Sequence, residues 1–387
     1  MHIPICPDGS AANHVPLPIA HRSLLANYRM PAEWEPHFAS YLVWPHNLDT
    51  WPGKFEPVPP IFARIAVALG HFEPVRILVR DTAQIAEVRE MIAAVSGPDG
   101  ESVRMGRIEL LSIPTNDSWI RDYGPIFLNR IAPGEDGPRQ IAVDWRFNSW
   151  GGKYGACNLD DAVPQRLAEH YGFEVVEANM VLEGGSLDVN GAGLLLTTES
   201  CLLNKNRNPS MNREEIEKCL HVYLGVEQVL WLGEGIAGDD TDGHVDDLAR
   251  FTAANTIVTV VEQDPADINY APLQDNLRRL RAMRNRRGEP FTIATLPMPA
   301  PLYYEGVRLP ASYANFYIAN GAVLMPSFGC AADQVAQATL AQLFPDRRVV
   351  AIPSGDLVWG LGAIHCLTQQ HPALPLGDVL VCVNLDT

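Results

Sequence analysis

The stretch NREEIEKCLHVYLGVEQVLWLGEGIAGDDTDGHVDD, residues 212–247, contains in one place the unit from which the chain is built. Asn212 followed by Glu215 has the form of a capping box. Ile216, Cys219, Leu220 and Tyr223 recur at the spacing of one helix face, so 212–224 reads as an amphipathic helix. The run QVLWL at 228–232 is a short apolar strand, and it gives way to a polar loop ending in Gly243-His244-Val245-Asp246-Asp247.

The same order of helix, turn, strand and polar stretch occurs five times. Helical patterns lie near 60–69, 83–95, 163–171, 212–224, 270–286 and 333–344, and strands at 75–80, 107–113, 174–178, 228–232, 291–297 and 347–353. The polar or Gly-rich stretches are 116–122, 182–186, 239–247, 312–315 and the loop leading to Cys366. Further β runs at 141–145, 194–198, 256–262 and 322–328 give more than one strand per helix. That favours repeated ββαβ-like units, with the five polar stretches meeting in the middle, over one doubly wound sheet. Residues 1–27 read as an irregular arm, and residues 28–387 as a single α/β domain.

Composition narrows the function. With 47% hydrophobic and 19% charged residues the chain is globular in type, no apolar run is long enough to span a bilayer, and the first residues lack the core of a signal peptide, so the cytoplasm is the expected compartment. Seven cysteines without a CxxC pair indicate neither a disulfide framework nor a zinc ribbon. A net charge of −17 argues against nucleic acid and suits a small cation; homo-oligomer formation is left open.

Cys366, after His365 in a Gly-rich loop, is either a nucleophile or a structural thiol. His244 and Asp246, two apart, would share a face of an extended segment, the histidine as acid/base and the aspartate as cation binder. A metal loop and a solvated acidic loop are the rival readings, although no spacing for calcium or zinc is present. Asp122 lies in Trp119-Ile120-Arg121-Asp122, either a pocket wall with a cation-binding carboxylate or a turn stapled by an Arg–Asp pair. Glu183, before Gly184-Gly185, can present a carboxylate at a strand end. Taken together, carboxylates, a histidine and a thiol are what hydrolysis of a guanidinium carbon needs: the planar cation donates to paired carboxylates while its carbon faces sulfur.

The combination resembles the agmatine deiminase family within the guanidine-modifying (pentein) superfamily, which also includes peptidyl-arginine deiminase-like proteins. The resemblance runs from RMPAEWEPH at 29–37 through NDSWIRDYGP at 116–125, FNSWGGKYG at 147–155, LEGGS at 182–186, TTESCLLNKNRNP at 197–209 and GHVDD at 243–247 to IHCLTQQ at 364–370. It implies a five-bladed, pseudo-fivefold α/β propeller that uses neither metal nor organic cofactor. It implies Cys366 as nucleophile, His244 as acid/base, Asp122 and Asp246 as guanidinium clamps and Glu183 as a hydrogen-bond partner of substrate nitrogen. Trp119, Asp240 and Gly362 would line the substrate site. Agmatine would give N-carbamoylputrescine and ammonia through a covalent thiouronium. The loop before Cys366 departs from the family's usual GGGN, with Leu361 and Ala363 in place of Gly and Asn, while Asp240 and Cys330 replace residues that are often Glu and Asp. These departures leave free or peptidyl arginine, or transfer of the amidino group to an amine, as alternative activities.

Overall fold

Five sheets of three or four strands, with one two-stranded hairpin, make up the β structure among the described residues of a computed structural model. The described residues are 25–95, 105–131 and 137–374, so most of the expected N-terminal arm lies outside them. No described sheet has more than four strands, and the architecture is a mixed α/β one.

Every sheet repeats one device. An antiparallel pair is followed by a helix that crosses over to a parallel strand, as parallel pairing requires. Ile126–Arg130 pairs antiparallel with Gln140–Arg146, and the helix Val163–Tyr171 leads to the parallel strand Glu174–Val181. Asp188–Val189 and Leu194–Thr198 are followed by the helix Arg213–Leu224 and the strand Gln228–Leu232. The same order joins Ala249–Ala253, Thr256–Val261, Tyr270–Ala282 and Thr292–Pro297. It recurs in Tyr317–Ala319, Ala322–Ser327, Ala332–Leu343 and Arg348–Pro353. In the remaining sheet the antiparallel partner comes from the far end of the described chain: Gln369–Pro372 pairs with His37–Val43, which runs parallel to Val75–Val79 and onward to Ile108–Ser112.

The helices lie where periodicity places them. The capping box is real, with Asn212 Oδ1 accepting from the Glu215 N–H at 3.1 Å and Glu215 Oε2 accepting from the Asn212 N–H at 2.9 Å. Ile216, Cys219, Leu220, Tyr223 and Leu224 are buried, so the expected stripe faces the core. The helix expected over 270–286 stops at Ala282. Met283 turns extended, and the chain doubles back through Asn285–Gly288 to enter its parallel strand.

Each of the five polar stretches follows a parallel strand at its carboxyl end, which is why residues far apart in sequence converge. No described helix is long and apolar enough to cross a membrane. The five described cysteines, 157, 201, 219, 330 and 366, are all free thiols.

Candidate active site

Cys366 lies at the floor of a cavity of about 840 Å³, only 8% exposed. Asn315 Nδ2 donates to its Sγ at 3.1 Å, and the sulfur is 3.8 Å from Asp246 Oδ2. Burial, together with the charges of Asp246, Asp247 and Asp122, pushes the thiol well above its usual pKa. An empty site therefore holds a protonated sulfur, and a cation placed among the carboxylates would reverse the effect.

Behind Asp122, which lines the same cavity, lies His244. Its Nδ1 is 3.7 Å from Asp122 Oδ1 and its Nε2 is 4.0 Å from Glu183 Oε2, yet neither ring nitrogen has a hydrogen-bond partner. Burial works against the charged ring, but Asp122 and Glu183, with the Cys201 sulfur, outweigh it and hold His244 well above the ordinary histidine value. Glu183 is fully buried. Its Oε1 accepts from Arg207 Nε at 2.7 Å, while Oε2 has no partner. Burial would raise the Glu183 pKa, but His244 and Arg207 bring it below the usual carboxylate value.

Asp122 is fixed by two donors, Trp150 Nε1 at 2.8 Å and the Gly185 N–H at 2.9 Å. Burial first, then Asp246 and Glu183, push it up to about 6 against the pull of His244. The absence of a side chain at residue 185 is structural: a Cβ there would lie 2.5 Å from His244 Nδ1 and 2.8 Å from Asp122 Oδ1. Gly362 does the same for the other wall, where a Cβ would fall 2.5 Å from the Trp119 ring. Trp119 thus packs against the backbone that leads to Cys366, its ring tilted by 35° against Trp51 with centroids 5.5 Å apart.

Behind Asp246 lies a chain of buried ionic contacts. His365 Nδ1 meets Asp246 Oδ2 at 2.7 Å and its Nε2 meets Glu33 Oε2 at 2.8 Å; Arg250 Nη2 reaches Glu33 at 2.8 Å and its Nε bonds Asp188. Burial opposes ionisation of Asp246, and His365 outweighs it. The outer oxygen, Asp246 Oδ1, is left without a partner.

The structure therefore gathers Asp122, Glu183, His244, Asp246 and Cys366; Asp122 and Cys366 line the cavity with Trp119 and Gly362, while His244, Glu183 and Asp246 lie buried behind that lining. Asp240 lies farther out, its carboxylate accepting from the Tyr154 hydroxyl. Two readings are corrected. His244 and Asp246 do not share an extended segment, since Val245–Asp247 forms one 3-10 turn after His244; the turn sends the histidine toward Asp122 and the aspartate toward Cys366. Arg121 does not staple Asp122. It donates to Gln370 Oε1 at 2.7 Å and to the His365 carbonyl at 3.2 Å, bracing the Cys366 loop instead. Of the unusual loop residues, Leu361 lines the cavity, whereas Ala363 and Cys330 do not.

Several residues given no role from sequence prove central. Asn315 holds the sulfur, Arg207 holds Glu183, and Trp150 holds Asp122. The signal for Trp150 was its setting in Ser149-Trp150-Gly151-Gly152, where Ser149 and Trp150 adopt left-handed φ values of 59° and 52°. A potential metal set also emerges: Glu183, Cys201 and His244 each offer a ligand atom within 4.8 Å of the others. One oxygen of its carboxylate already serves the Arg207 guanidinium.

The Porphyromonas-type peptidyl-arginine deiminase family matches residues 29–372. A putative agmatine deiminase of Legionella pneumophila (strain Philadelphia 1) is 39% identical over 349 residues, spanning 89% of this chain and 95% of the relative. The agmatine deiminase of Ectopseudomonas mendocina is 38% identical, over 89% and 96%. Among solved structures, the agmatine deiminase of Enterococcus faecalis superposes with a TM-score of 0.81 at 34% identity, covering 89% of this chain and 96% of its own. A C. jejuni agmatine deiminase solved with substrate bound gives 0.78 at 31%, over 89% and 96%. With similarity of this extent running through every polar stretch that meets at Cys366, the chain belongs to the Porphyromonas-type peptidyl-arginine deiminase family.

Proposed function

We propose that the chain is an agmatine deiminase, converting agmatine and water to N-carbamoylputrescine and ammonia. The observation that carries the choice of substrate is the charge of the cavity. Six carboxylates line it, those of Asp49, Asp117, Asp122, Asp160, Asp240 and Glu305, and no lysine or arginine does. A guanidine with a second cationic end is favoured there, whereas the α-carboxylate of free arginine would meet no positive partner and several negative ones.

In this reading the guanidinium docks over Cys366 with its N–H groups toward Asp122, Glu183 and the open Oδ1 of Asp246. Its charge offsets the carboxylates that keep the thiol protonated, so the thiol gives up its proton to water and sulfur attacks as thiolate. His244, charged before attack, gives its proton to the departing nitrogen, which leaves as ammonia while the carbon stays on sulfur as a thiouronium. The neutral imidazole then takes a proton from water as the oxygen adds to that carbon. The C–S bond then breaks as the hydroxyl proton of the adduct passes to the sulfur, releasing the neutral ureido product and leaving the thiol and a charged His244 as at the start. Asp240 with Tyr154 receives the distal ammonium. Trp119 and Leu361 shape the passage to it.

We further read the fold as a five-bladed α/β propeller in one catalytic domain spanning 28–387. Five sheets of one ββαβ order support this, as does the return of Gln369–Pro372 to His37–Val43. The test is a substrate panel of agmatine, free arginine and a peptidyl arginine, with and without an amine acceptor. Ammonia and a ureido product from agmatine are expected. A new guanidine on the acceptor, or a preference for arginine, would overturn the assignment.

A further inference from the structure

The cavity is larger than the substrate proposed for it. Its volume is near the upper end of the range that encloses drug-sized ligands, roughly 300–1,000 Å³, and a guanidine on a four-carbon amine fills only a fraction of that. The unfilled part is acidic too. Asp160 is only 2% exposed yet lines the cavity. Its Oδ1 accepts the N–H groups of Asn116 at 2.6 Å and Asp117 at 3.3 Å, whereas Oδ2 takes part in no hydrogen bond. Asp117 beside it is satisfied, Oδ1 by the Ser118 N–H at 2.7 Å and Oδ2 by the Thr50 hydroxyl at 2.6 Å and Asn47 Nδ2 at 3.2 Å.

The Oδ2 of this side chain is open to the cavity and no lysine or arginine stands on the surrounding wall, so a cation placed there would let the group ionise. Burial, then the neighbouring Asp117 and Asp161, lift Asp160 to about 8 even against its two backbone donors. Tyr154, whose hydroxyl serves Asp240, lines the same cavity as Asp117 and Asp160.

We infer that Asp160, backed by Asp117, is a second cation subsite, and that the substrate class extends to guanidines whose tail carries two amines, as in a polyamine. The inference rests on the guanidine hydrolysis proposed above. Asp240 takes the first ammonium of such a tail and Asp160 Oδ2 the second.

The experiment compares agmatine with two derivatives alkylated on the primary amine, one by a propyl group and one by a 3-aminopropyl group. The second is longer than the first by one nitrogen, and that nitrogen carries the extra charge. The aminopropyl compound is expected to show a KM at least tenfold lower than the propyl compound, and Asp160→Asn to shrink that ratio toward one. Equal KM values in the unaltered protein, or a ratio that Asp160→Asn leaves unchanged, would overturn the subsite. Because the ratio is read first on the unaltered protein, a variant that fails to fold leaves the test intact. Absence of turnover on agmatine itself would instead count against the activity on which the inference rests.

Discussion

The two walls of the site differ in how their polar atoms are satisfied. On the Cys366 side, Asp246, His365, Glu33 and Arg250 are chained by short contacts, and each carboxylate and ring of the chain has at least one partner, with Asp246 Oδ1 and Arg250 Nη2 left without a hydrogen bond. On the His244 side both ring nitrogens and one oxygen of Glu183 are open. Buried polar groups are normally paired, so a run of unpaired ones marks where a ligand completes the pattern. In the proposed reaction the first side holds still while the second binds and exchanges protons.

The strongest test of this contrast removes the groups that react. Cys366→Ala should lower kcat by more than about 10⁴-fold with the fold intact, measured as ammonia release alongside thermal melting. His244→Asn should lower it by about 10²–10⁴-fold, the usual worth of a placed acid/base group. Comparable turnover by either variant would break the assignment. The holding wall should answer in stability instead: Arg250→Met strands Glu33 and Asp188 in the interior and should cost about 3–5 kcal/mol in denaturant unfolding.

A pH profile sharpens the comparison. Asp122 is raised to about 6 in the empty site and must be ionised to receive the guanidinium, so kcat/KM should fall as pH drops through about 6, approaching tenfold per unit below it. A profile flat from pH 7 to 5 would mean that Asp122 does not bind the substrate's charge. The smallest effect is expected at Leu361, which holds a left-handed φ of 66° and lines the cavity. Leu361→Gly removes that strain and one apolar contact. Stability should stay within about 1 kcal/mol, and the KM for agmatine should rise only ~3–10-fold with kcat unchanged.

What was legible from sequence follows from what is local. Helix stripes, the capping box at Asn212 and the short apolar strands each lie within a dozen residues, and all reappear, with a boundary error where the helix after Tyr270 ends early. The five side chains proposed to react were singled out by their strand-end stretches together with the family resemblance, and they converge because those strand ends share one side. The partners that hold them were not singled out. Arg250 reaches Glu33 across more than two hundred positions, and Asn315 reaches Cys366 across a different unit. Only packing reveals such pairs, since Arg or Asn in a strand or loop has no periodic signature. The corrected geometry at His244–Asp246 has the same source: one turn of 3-10 helix is too short to pattern the sequence.

The pairing of Gln369–Pro372 with His37–Val43 has a consequence in time. A ribosome releases the strand near residue 40 long before the segment that carries the thiol. The sulfur is seated three residues ahead of the strand that completes that sheet. Growing chains can thus assemble the four other sheets and their carboxylates while Cys366 is still inside the ribosome. Chemistry begins only when a late-made strand finds an early-made one, and a nascent chain stalled before residue 369 is expected to be inert toward guanidines.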